Sequence, residues 1–241
     1  DPEMSRGLGD VYKRQVRRLG AMIGLEFVKD PVTKAPNGDL VSALVQECAR
    51  HGLPVLGINL GRTGFLATCE LDEMEQKLHK LAAGEFSVEH RALLQAECTG
   101  ADGPLIALND LVVYSGHRRQ TVDLDILCDG LPVSNCRGDG VILATPTGST
   151  AYSLSAGGPI VEPGNDVIVI TPICAHYTDG RSIIARSTSK IEMRLCRPHR
   201  QMYVTADGYA SMQIAPDAKV ICERGADKLR IIRIDPPNFY E

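Results

Sequence analysis

The residues from Asp139 to Ile160 read Asp-Gly-Val-Ile-Leu-Ala-Thr-Pro-Thr-Gly-Ser-Thr-Ala-Tyr-Ser-Leu-Ser-Ala-Gly-Gly-Pro-Ile, crowding hydroxyls and permissive backbone against strand-like sequence. Such a mixture suits the capture of a polar, hydroxyl-rich small molecule. Ser149, Thr150, Tyr152, Ser153 and Ser155 can each donate or accept hydrogen bonds, and neighbouring glycine lets a ligand approach the main chain. The plainer reading is a Ser/Thr-rich turn and a capped helix, because Ser and Thr favour N-caps and Gly-Pro favours a stop. The same ambiguity holds elsewhere. Asn109-Asp110 fits a turn before a strand and Asp139-Gly140 fits a hairpin turn. Tyr152 fits a core, and a lone histidine such as His176 is ordinarily a structural residue.

The elements that must position these residues divide the chain in two. Ile23, Leu25 and Phe27 alternate with Gly24 and Glu26, which predicts a strand over 21–28, and Pro31 to Gly38 is turn-rich. A helix follows, capped by Asp39, with Val41, Leu44, Val45 and Cys48 on one face and Gly52 as its C-cap. With a strand over 55–58 this makes a β-α-β pattern, expected to fold as a right-handed crossover. A second helix is expected over 71–83, ended by Gly84. From about Val88 the period changes to two. Strands are expected at 107–114, 122–126, 141–144, 167–171, 191–195, 202–205, 211–214, 219–222 and 229–234, which two packed antiparallel sheets would bury.

Composition narrows the classes of function. With 241 residues, 44% of them hydrophobic, the chain has room for one large domain or two small ones. A formal net charge of −4 supplies no basic field for nucleic acid, and the apolar runs are too short to span a bilayer as helices. The 8 cysteines are scattered without a Cys-x₂-Cys pair, which points to reduced thiols in a cytoplasmic protein and to no metal site.

Five segments, in order, resemble those of the NAD kinases. The Asp139–Ile160 run is similar to that family's diagnostic segment, and Pro54-Val55-Leu56-Gly57-Ile58-Asn59-Leu60-Gly61-Arg62-Thr63-Gly64-Phe65-Leu66 to its Gly-Ile-Asn-x-Gly-x-x-Gly-Phe-Leu, with Thr63 in place of the usual Leu. Asn109-Asp110, Thr171-Pro172-Ile173-Cys174-Ala175-His176 and Asp207-Gly208 resemble three further motifs. The resemblance, over residues 54–235, implies an α+β chain: a partial N-terminal α/β segment over 16–87, then a mostly antiparallel, β-sandwich-like domain of the NAD kinase type over 88–241. Lipid and sphingoid kinases share that architecture, but the Thr-Pro-Thr-Gly-Ser-Thr-Ala-Tyr form favours the nicotinamide branch.

The resemblance also implies an activity and a site. NAD kinases phosphorylate the 2′-hydroxyl of the adenosine ribose of NAD to give NADP, with ATP or polyphosphate as donor and magnesium or another divalent metal. Asn109 and Asp110 would contact the ribose hydroxyls and the adenine side, and Asp139 would orient the nicotinamide end. Thr150, Ala151, Tyr152 and Ser155 would line the adenine and ribose pocket, with Thr147 in the same site. Asp207 would lie where the chain closes over the substrate. Family members assemble as homodimers or homotetramers whose sites a neighbouring subunit completes, which places His176 and the loop after it at an interface.

Upstream of residue 53 the reading changes. The family's Gly-Gly-Asp-Gly loop, with its catalytic aspartate and donor-phosphate cradle, does not occur in this sequence. Residues 16–52, through Gly20-Ala21-Met22-Ile23-Gly24-Leu25-Glu26-Phe27-Val28-Lys29-Asp30, resemble a C-terminal fragment of class III pyridoxal-phosphate aminotransferases of the 4-aminobutyrate type. That fragment brings no cofactor-binding residue. Residues 5–15 fit neither family and look non-native, within a leader over 1–15. The expectation is therefore a truncated, impaired NAD kinase. The alternatives are a non-catalytic NAD/NADP-binding module and, less favoured, an aminotransferase fragment.

Overall fold

The computed structural model of the chain describes residues 28–30, 35–36, 38–59, 69–70, 72–100, 103–116, 121–176, 180–196, 202–215 and 217–235. The leader, most of the strand expected over 21–28 and the segment from Leu60 to Leu66 lie outside the described residues.

Upstream of residue 87 the elements are short: β1 (Val28–Asp30), β2 (Ala35–Pro36), α1 (Gly38–Arg50), β3 (Pro54–Val55), β4 (Ile58–Asn59), β5 (Cys69–Glu70) and α2 (Met74–Ala82). Helix α1 starts at Gly38, so Asp39 lies inside it rather than capping it. It ends as its sequence requires: Gly52 adopts φ +63°, and Leu53 N–H donates to the Cys48 carbonyl at 2.8 Å. Helix α2 falls within the expected 71–83, and Lys77 ties it to Glu73 at 2.7 Å and Asp235 at 3.0 Å. The expected β-α-β crossover is not formed among the described residues. β1 pairs with β2, whereas the strand expected over 55–58 is two pieces, β3 and β4, that pair with different partners.

Beyond residue 87 strands dominate the described residues. β6 (Ser87–Cys98), β7 (Leu105–Ala107), β8 (Asp110–Ser115), β9 (Val122–Cys128), β10 (Leu131–Gly138) and β11 (Gly140–Ala144) lead to a 3₁₀ turn over Thr147–Thr150 and a one-turn helix, α3 (Tyr152–Ser155). β12 (Val167–Ile173), β13 (Ile183–Arg186), β14 (Ile191–Leu195), β15 (Met202–Ala206), β16 (Ala210–Ile214) and β17 (Lys219–Arg233) complete it. One sheet runs β10-β9-β14-β17-β6-β7, with β3 parallel to β17; the other runs β13-β12-β11-β8-β15-β16. Through β3, residues upstream of 88 thus share the first sheet.

The two sheets face each other because their alternating residues do. Val122, Leu124 and Ile126 of β9 and Ile191 and Met193 of β14 are fully buried against Leu111, Val113, Val141 and Leu143 of the opposite sheet. Burying a side chain of this size stabilises the fold by about 1.5–3 kcal/mol. A second, smaller cluster joins Ala49 of α1 to Leu93, Leu229 and Ile231, which seats the helix on the outer face of β6 and β17. Two strands expected at 219–222 and 229–234 are one. β17 continues through a bulge between Arg224 and Lys228, so the extra residues around Gly225 are absorbed without a turn. All eight cysteines are unpaired thiols, with Cys98, Cys136 and Cys222 buried between the sheets and Cys174 and Cys196 exposed. Among the described residues no helix is long and apolar enough to cross a membrane.

Candidate functional site

Where the chain passes from one sheet to the other it must turn a corner, and two such corners meet at one cleft. The first lies between β7 and β8. Residues 107–114 read as one continuous strand, yet Leu105–Ala107 pairs in the first sheet and Asp110–Ser115 in the second, which leaves Leu108 and Asn109 at the crossing. The second is Asp139, between β10 and β11, so Asp139-Gly140 is a crossing and not a hairpin turn. Asp139 N–H donates to the Ile173 carbonyl at 2.9 Å, and its side chain stays exposed.

Asp207 holds the first corner in shape. Its carboxylate accepts the backbone N–H groups of Leu108 at 2.8 Å, Asn109 at 2.7 Å and Asp110 at 3.0 Å. Asp207 N–H returns a bond to the Asp110 carbonyl at 3.0 Å, and the residue takes φ +48° to do so. Burial pushes the Asp207 carboxyl up, and the three backbone donors work against that. Those donors mark Asp207 as the ionised member of the pair. Asp110 has no such compensation: it is 5% exposed, and burial together with the Asp207 charge pushes it up to about 7.

The hydroxyl-rich run packs behind this corner. Thr145 Oγ1 donates to the Leu108 carbonyl at 2.6 Å and accepts Gly148 N–H at 3.0 Å. Gly148 lies so close to Asn109 that a Cβ there would stand 1.9 Å from the Asn109 carbonyl oxygen. Ser149 Oγ, fully buried, donates to the Pro146 carbonyl and accepts Val161 N–H at 3.0 Å; Ser153 Oγ meets Thr171 Oγ1 at 2.9 Å. Hence Ser149 and Ser153, which the sequence offers as ligand-binding groups, have their bonds inside the protein. Thr147 is likewise buried and accepts from Arg91 Nη1 at 3.1 Å. Arg91 pairs in turn with Glu89 at 2.9 Å, and Glu89 with Arg233 at 2.7 Å. Burial pushes the Glu89 carboxyl up, but the Arg233 and Arg91 contacts outweigh it and hold the group below its ordinary value.

The cleft has a volume of about 640 Å³. Of the residues expected at a site, Asn109, Asp110, Asp139, Ala151, Tyr152 and Asp207 line it together. Part burial, then the nearness of Cys174, Asp139 and Asp110, pushes the Tyr152 phenol above its ordinary value. Thr147, Thr150, Ser155 and His176 are not among its lining residues; Ser155 and His176 are exposed. The floor holds residues that are not among the expected site residues: Val112, Tyr114 and Ser115 of β8, Ile173 of β12 and Thr205 of β15. Period-two counting from Asp110 finds Val112 and Tyr114, which share its face.

Comparison with known proteins assigns this arrangement. Residues 108–234, more than half of the chain, match the ATP-NAD kinase C-terminal domain. The chain belongs to the NAD kinase family. It is 41% identical over 210 residues to the NAD kinase of Pseudomonas putida, covering 85% of this chain and 70% of the relative. It is 36% identical to that of Magnetococcus marinus, covering 68% of the relative. A share of 85% exceeds residues 54–235, so the likeness to NAD kinases reaches upstream of the expected limit at residue 53. Among solved structures, yeast NADH kinase complexed with NADH superposes with a TM-score of 0.69 at 29% identity, over 75% of this chain and 54% of the yeast chain. An NAD kinase from Archaeoglobus fulgidus in complex with ATP gives 0.67 at 29% identity, over 76% and 69%. The chain thus spans about half the length of the yeast protein. The mostly antiparallel, helix-poor architecture is the one these kinases share.

Proposed function

We propose that the cleft binds NAD as the phosphoryl acceptor, with Asn109 and Asp110 on the adenosine ribose and Asp139 toward the nicotinamide end. The observation that carries this reading is the Asp110 carboxyl, buried yet facing the cleft and set by a turn that Asp207 clamps. An ionised carboxylate there accepts from a ribose diol, and Tyr152 and Ala151 close the pocket beside it. The reaction transfers a phosphoryl group from ATP or polyphosphate to the 2′-hydroxyl of that ribose, giving NADP. It requires a fixed acceptor, a base for the 2′-hydroxyl proton and a hold on the donor phosphates.

This chain's residues supply the first requirement. No Gly-Gly-Asp-Gly occurs in the sequence to supply the others. Magnesium or another divalent metal would arrive with the donor phosphates. Loss of a general base costs about 10²- to 10⁴-fold in rate. The chain is therefore expected to bind NAD and to form NADP slowly. A homodimer or homotetramer, with exposed His176 at the interface, and a cytoplasmic setting complete the proposal.

The absent loop also favours a second reading, a non-catalytic dinucleotide-binding module. Calorimetric titration with NAD beside an enzyme-coupled assay for NADP separates them. Binding with slow turnover supports the impaired kinase, and binding with no turnover supports the module. Rapid turnover would refute the inferred loss of function, while failure to bind NAD would overturn the dinucleotide reading itself.

A further inference from the structure

The floor of the cleft has two chemically different ends. Asp110, Val112 and Tyr114 face it from alternate positions of β8, so the acidic and aromatic ends stand about 13 Å apart along the strand. At the far end the Tyr114 ring stacks on Tyr203, its direct partner on β15, with centroids 5.9 Å apart and planes inclined by 28°. Tyr203 is seated against Gly116, where a Cβ would stand 2.3 Å from its ring. On the other flank of Tyr114 is Gly140, paired with it on β11, followed by Ile173 on β12. Tyr114 and Ile173, on either side of Gly140, both line the cleft. Asp139, exposed and adjacent to Gly140, also lines this end, and its carbonyl accepts Ser115 N–H at 3.4 Å.

A flat, electron-rich face beside an exposed carboxylate suits a flat cation. The negative face of a tyrosine ring attracts positive charge, and a nearby carboxylate adds to that attraction. Of the two heads of a nicotinamide dinucleotide, adenine is neutral, and the nicotinamide ring is cationic only when oxidised. We propose that Tyr114, braced by Tyr203 and assisted by Asp139, is a specificity-determining residue that makes the cleft select the oxidised dinucleotide over the reduced one. This rests on the dinucleotide reading given above. The acceptor is then discriminated by the redox state of a ring remote from the hydroxyl that reacts.

The test is a comparison of dissociation constants for NAD and NADH in the full chain, its Tyr114→Phe and Tyr114→Leu variants and Asp139→Asn, each checked for native circular dichroism. The parent chain is expected to bind NAD about 3- to 10-fold more tightly than NADH. Tyr114→Phe retains that ratio, Tyr114→Leu brings it toward one by weakening NAD, and Asp139→Asn lowers it part of the way. Equal affinities in the parent chain, or an unchanged ratio in a folded Tyr114→Leu variant, would overturn the selectivity while leaving dinucleotide binding intact. Failure of both dinucleotides to bind the parent chain would remove the underlying reading as well.

Discussion

Asp110 holds its proton to neutral pH because it is buried beside a carboxylate that has already claimed the local N–H donors. Its folded pKa of about 7 lies above the ordinary 3.8, so the native state binds the proton more tightly than the unfolded chain. That contribution to stability is complete below about pH 4 and is lost as pH rises through about 7. Ligand binding runs the other way, since a ribose diol donates to the ionised form. NAD affinity, measured calorimetrically, is expected to rise by up to about tenfold between pH 6 and 8 and to become nearly flat in Asp110→Asn. Asp207→Asn should move the midpoint to lower pH by removing the adjacent charge. It should also cost about 1–3 kcal/mol in denaturant unfolding, because at least one buried N–H loses its acceptor.

At the scale of elements, the site depends on how tightly the turn after β11 nests behind the crossing before β8. Gly148→Ala must displace the Asn109 carbonyl, an overpacking worth about 1–3 kcal/mol. The same shift dislodges Asn109 and Asp110, so NAD binding should weaken at least about tenfold. Gly164→Ala, where a Cβ meets nothing within 4 Å, should behave like the parent in both thermal unfolding and titration. These contacts also explain what could be read in advance. The alternation in β9 and β14 reports a half-buried sheet directly, so the strands and their packing were legible. The crossing at Leu108 and Asn109 was not, because a change of sheet partner leaves no mark on a run of strand-forming residues. Nor was the fate of the hydroxyls. Ser149 and Ser153 look the same in sequence whether they face a ligand or, as they do, bond inward to Val161 and Thr171.

For the molecule as a whole, β17 is the shared support: it pairs with β3, β6 and β14 and carries α1 on its outer face. The cleft, by contrast, is lined from β8, β12, β15 and the two crossings, so its floor and this support lie largely in different sheets. The buried thiols report on the space between them. Cys222 sits at the centre of the sandwich, where burial pushes its thiol far above its ordinary value, and Cys136 is pushed up to about 11. Thiol reagents need both access and thiolate. Cys174 and Cys196, which are exposed, should label with a mass-detected alkylating reagent before Cys98, Cys136 and Cys222, which should label only when the sheets part. Labelling of Cys222 in the parent before loss of native circular dichroism would contradict that. The chain in this way contains its own clock for the separation of its two sheets, read by mass and independent of whether any dinucleotide is turned over.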